Sequence, residues 1–124
     1  MLERRSNHGC SRFNFNSKPH LIVAGGMHGP DILSSVEIYD LSNQEKTWMA
    51  APNLPQPIFD HRMIPAPDNL GVFTIGGVVD RNAVFEFKCS GTLITDCKWV
   101  QKQNLDYGKR DFVAIPISNE MFLK

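Results

Sequence analysis

Leu21-Ile22-Val23-Ala24-Gly25-Gly26 and Phe73-Thr74-Ile75-Gly76-Gly77 decide the fold. Each is a short apolar run that ends in a diglycine, and each is followed by a tryptophan, Trp48 after the first and Trp99 after the second. The chain therefore repeats itself with a period of about 50 residues, a length that marks proteins built from a stacked or radially arranged unit.

Working outward, Val36-Glu37-Ile38-Tyr39-Asp40 pairs with Val84-Phe85-Glu86-Phe87-Lys88, Trp48 with Trp99, and Leu54 with Leu105. The interval from diglycine to valine is three residues shorter in the second copy, while that from aromatic to Trp is three residues longer. Compensating length changes of this kind fall in surface loops, which tolerate insertion. Leu21 to Ala24 and Gly71 to Ile75 read as buried strands, and Val36 to Asp40 alternates with Val36 and Ile38 on one face. His28-Gly29-Pro30-Asp31, Ser42-Asn43-Gln44, Pro52 to Pro57 and Asp68-Asn69 are rich in turn formers and separate those strands, and no segment has a helical period.

The diglycine, aromatic and Trp set, present twice at one period, resembles the kelch repeat over Pro19 to Lys124. The resemblance implies an all-β fold, a partial kelch-type β-propeller of four-stranded antiparallel blades whose strands a to d run outward from the axis. It implies a loose polar N-terminal arm over 1–18, a blade over about 19–57, a second over about 58–108 and the start of another over about 109–124. Gly25, Gly26, Tyr39, Trp48, Gly76, Gly77, Phe87 and Trp99 are then repeat-structural residues, the glycines allowing close approach and the rings filling the core. Pro65 and Pro67 fall in the expected innermost strand of the second blade, where a missing N–H weakens pairing. Two blades leave both flanks uncovered, so further blades are expected, in a longer chain or by self-association, and the isolated piece is expected to be unstable.

Residues that repeat serve the scaffold, and function is expected in the loops that differ. An up-and-down strand order puts the b-to-c loops, Met27 to Ser35 and Val78 to Ala83, on one rim with the d-to-a connections. His28, Asp31, His61, Arg62, Asp80, Arg81 and Arg110 are the candidate partner-binding residues there. The resemblance implies a protein or peptide partner, with arginines gripping acidic segments as in ubiquitin-ligase substrate adaptors, since an Arg fork binds a carboxylate bidentately.

Thirteen basic residues balance 13 acidic ones in a chain that is 42% hydrophobic and 21% charged, which gives no electrostatic footprint for nucleic acid or an anionic membrane. The apolar runs are strand-length, too short for a transmembrane helix. The alternative reading is a fragment of a galactose-oxidase-like secreted copper oxidase. That chemistry needs two tyrosines and two histidines on copper, and His8, His20, His28 and His61 show no metal-ligand spacing. No phosphate-cradling loop or nucleophile elbow follows either diglycine, so no catalytic residue, metal or cofactor is expected. Cys89 and Cys97 flank the turn Ser90 to Asp96 and could bridge as hairpin neighbours, which would indicate an oxidising, extracellular setting. The odd Cys10 and the absence of a signal-like leader favour reduced thiols and a cytoplasmic setting.

Overall fold

The computed structural model describes residues 1–42 and 46–106. Strand β1 (Gly9–Phe15), β2 (Lys18–Ala24), β5 (Val36–Asp40) and β6 (Trp48–Ala51) form one antiparallel sheet in that order. β7 (Arg62–Pro65), β8 (Gly71–Ile75), β9 (Val84–Cys89) and β10 (Cys97–Gln101) form a second sheet of the same topology. Between β2 and β5 a small hairpin projects, made of β3 (Met27–His28) and β4 (Asp31–Ile32). Each sheet is an up-and-down meander, and the pair are two neighbouring blades of a partial kelch-type propeller. The expected turn at Asn43-Gln44 and the expected third-blade start over 109–124 lie outside the described residues.

The first blade begins at Gly9, not near residue 19, which corrects the expectation of a loose arm over 1–18. Residues 9–15 alternate, with Phe13 and Phe15 buried while Cys10 and Arg12 are exposed and Asn14 is half-buried. The polar composition hid a period of two whose inward members are Gly9, Ser11, Phe13 and Phe15. Pro65 occupies the last paired position of β7, opposite Val72, and Pro67 lies beyond it. β7 is an edge strand, where a proline leaves no central ladder bond unmade.

The core is the space between the blades. Phe13, Ile22, Val36 and Ile38 line it from the first sheet, and Val72, Phe87 and Cys97 from the second. Phe13 meets Phe87 edge to face, with ring centroids 5.8 Å apart and planes at 88°. Fully burying side chains of this size contributes about 1.5–3 kcal/mol each, so this interface is the main source of stability. The repeat aromatic and Trp are directly opposed on strands c and d in both blades, Tyr39 facing Trp48 and Phe87 facing Trp99. Their ring separations are 5.1 and 5.0 Å. Both indoles are half-buried, and Trp99 packs against the core cluster.

Candidate functional site

The strand register gathers the loops on one rim. Gly9, Ala24, Val36 and Ala51 stand in a row across the first sheet, and Arg62, Ile75 and Val84 in the matching row of the second. Above these rows lie residues 1–8, the 25–35 loop, the 52–61 connection and the 76–83 loop.

The backbone organisation of this rim repeats. Ser6 bridges Met27, and Phe59 bridges Val78 at the equivalent place in the second blade. Gly26 and Gly77 have φ of +95° and +98°, and a Cβ on either would come within 2.6 Å of the Ser6 carbonyl oxygen or 2.8 Å of that of Phe59. Side chains are thus excluded twice over, by the positive φ and by the bridging carbonyl. The Gly25 N–H donates to the Ser35 carbonyl and the Gly76 N–H to that of Ala83. The Leu54 and Leu105 N–H groups donate to Ser34 and Asn82 in turn. These pairs place Ser6-Asn7-His8 in register with Phe59-Asp60-His61. Asn7 and Asp60 share φ of 56°, and the Asn7 side-chain amide donates to Asp60 Oδ1 at 2.6 Å.

Of the candidate partner residues, His28 and Asp31 are cross-strand neighbours at the tip of the β3–β4 hairpin, both exposed. Arg81 is exposed on the 76–83 loop, and Asp80 is half-buried with Oδ1 accepting from the Asn82 N–H. Arg62 is half-buried and donates from Nη1 to the His61 carbonyl at 3.1 Å. Val79, between them, is 57% exposed and holds φ of 98°, a strained value for a β-branched residue. Arg110 lies outside the described residues.

His61 is a correction. It is 0% exposed, set among Gly9, Gly25 and Gly77 at the junction of the blades, so no partner reaches it. Burial lowers its pKa to about 4, and its ring is neutral at pH 7. Sequence reading placed it on the rim because it ends the Pro52 to His61 connection that leads from the first blade to the second.

The residue that sequence reading missed is Arg5. Its side chain is 0% exposed and Nη2 meets Glu37 Oε2 at 2.6 Å, with Glu37 itself 3% exposed. Nη1 donates to the carbonyls of Gly25 at 2.8 Å and Ser35 at 2.9 Å. The Leu2 and Glu3 N–H groups donate to the same Glu37 carboxylate. Burial pushes the Glu37 carboxyl up, but the Leu2 N–H, the Arg5 guanidinium and the Glu3 N–H outweigh it and hold it below the ordinary range. The only signal in the sequence was the parallel between Asn7-His8 and Asp60-His61, which extends the repeat upstream of residue 19.

Cys89 and Cys97 are directly opposed across β9 and β10 and form a disulfide, against the expectation of reduced thiols; Cys10 is free. Among the described residues no group of three or more His, Cys, Asp or Glu side chains could hold a metal ion, and no helix is long and apolar enough to cross a membrane.

Residues 17–55 match the family model of the Kelch motif, a stretch that takes in β2, β5 and β6 with the hairpin between them. The second sheet repeats the topology of the sheet that carries this kelch motif. No curated protein matches it.

Proposed function

We propose that the chain is a protein-interaction module that holds a protein or peptide partner on the rim carrying the 25–35 and 76–83 loops, with no covalent chemistry of its own. One observation carries this reading. Residues that repeat between blades are buried or paired, whereas those that differ, His28, Asp31 and Arg81, are exposed on one rim. Kelch repeats are in general such modules, and the strained Val79 beside Arg81 supports a binding loop held in a fixed shape. The chemistry of the exposed Arg81 suits an acidic segment, because a guanidinium offers a carboxylate two parallel hydrogen bonds.

A hexaglutamate peptide titrated calorimetrically into the intact chain tests this. Binding should weaken with salt and fall about fivefold or more in Arg81→Ala, a loss of about 1 kcal/mol or more. Equal binding by the variant overturns the assignment. The disulfide supports an oxidising setting for the working protein. Protein isolated without reductant should carry the Cys89–Cys97 link by peptide mapping, and free thiols at both positions refute that setting.

A further inference from the structure

At the opposite rim, away from the variable loops, the two blades part to leave a cleft of about 350 Å³. Its apolar wall is formed by Phe15, Met49, Leu93 and Ile94, and its polar wall by His20 and Asp40. We propose that this cleft is a second binding site, which takes a tyrosine side chain of a partner protein, ring against the apolar wall and hydroxyl donating to the His20–Asp40 pair.

The chemistry of the polar wall selects the donor. His20 is 3% exposed, and its Nδ1 lies 2.9 Å from the Lys18 carbonyl oxygen, which can only accept, so Nδ1 carries the proton. In the neutral ring Nε2 is then an acceptor, and it faces Asp40 Oδ2 at 3.9 Å. Asp40 Oδ1 is already engaged by the Ser42 N–H and hydroxyl, at 2.8 and 2.7 Å. Two acceptors that confront each other across a gap too long for a hydrogen bond call for a donor from outside. The apolar wall facing the pair disfavours a cationic donor, whose charge would lose hydration against Phe15, Met49, Leu93 and Ile94. A neutral hydroxyl remains, and a phenol joins it to a flat apolar body that suits this wall.

The wall is also built to keep its shape. Leu93 is 63% exposed yet sits in a loop closed by the Cys89–Cys97 disulfide, braced by the Asn16 side-chain amide donating to the Thr92 carbonyl at 2.6 Å. The Leu93 N–H donates to Asp96 Oδ2 at 3.1 Å. An exposed leucine held this firmly over a cleft is preorganised for contact, since little ordering cost remains for the complex.

The test is a titration of the intact chain with N-acetyl-tyrosine amide, followed by methyl NMR of Met49, Leu93 and Ile94. Saturable shifts at these methyls are expected, with about fivefold weaker binding of N-acetyl-phenylalanine amide, which lacks the donor. Leu93→Asp, at an exposed position that leaves the core untouched, should abolish the shifts while the amide spectrum stays folded. The proposal is overturned if the shifts do not saturate, if the phenylalanine or an N-acetyl-lysine amide binds as well, or if Leu93→Asp binds normally. None of the probes carries a carboxylate, so failure here leaves the acidic-segment reading of the other rim standing.

Discussion

The first and second blades share one backbone and differ in what fills it. On the face that looks back along the chain, the first blade buries Glu37 against Arg5, whereas the second has Phe85 in the place of Glu37 and Ile58 in the place of Arg5. All four side chains are buried, so the same location accepts an ion pair or two apolar groups. The Phe87 that looks back from the second blade meets the first blade and is fully buried, while its counterpart Tyr39 is half-buried. The comparison shows the repeat specifying strand register and glycine positions, and leaving each blade to find its own means of closing its face.

Breaking the ion pair gives the largest effect. Glu37→Ala strands a buried guanidinium and should cost about 3–5 kcal/mol, read as a drop in the urea midpoint. Arg5→Ile combined with Glu37→Phe copies the second blade into the first and should be less destabilising than Glu37→Ala, since no buried charge is stranded although the Leu2 and Glu3 N–H groups and the Gly25 carbonyl lose a side-chain partner. A double variant as unstable as the single one would show that the two faces are not interchangeable.

Protonation probes the junction itself. His61 titrates at about 4 in the folded chain against 6.5 in the unfolded one, so the unfolded state binds the extra proton first as pH falls. Its contribution is fully present above pH 6.5 and is lost as pH drops through the window down to about 4, a change of about 3 kcal/mol. His61→Phe should flatten the stability profile across that window. A slope unchanged from that of the parent would remove His61 as its source. Glu37, with its pKa lowered from 4.5, begins to lose its contribution only as pH falls below that ordinary value, so its loss sets in at the lower end of the His61 window.

What the sequence disclosed follows the same division. β2, β8, the diglycines and the Tyr39–Trp48 and Phe87–Trp99 pairs were legible because one residue type stands at one repeat position for one physical reason. β1 was not, because its outward members are polar and its two phenylalanines alone do not announce a strand. Arg5 and Glu37 lie far apart in sequence, and with Ile58 and Phe85 at the matching positions the repeat offered no echo of the pair. His61 misled because its place at the end of a rim connection says nothing about which way its side chain turns. The disulfide was legible only as an option, since cross-strand register settles it and turn length does not.

Removing the disulfide sharpens the difference between the turns that join strands c and d. The loop it closes has a sequence separation of 8, for which chain entropy gives about 2–3 kcal/mol, and the first blade has no counterpart. Cys89→Ser with Cys97→Ser should lower the midpoint by that amount, and reductant should reproduce the shift in the parent but not in the variant.

The smallest effect concerns the indoles. Trp99 donates from Nε1 to the Pro52 carbonyl at 2.9 Å, tying the outermost strand of the second blade to the connection that leaves the first. Trp48, at the same repeat position, looks away from the second blade. Trp99→Phe keeps most of the ring and deletes the donor, so it should cost about 1 kcal/mol, whereas Trp48→Phe should stay within about 0.5 kcal/mol. Equal costs would mean that the Pro52 bond adds nothing beyond the packing both indoles share. The predicted inequality would instead make the Trp a latch that works only where a preceding blade presents it with a carbonyl.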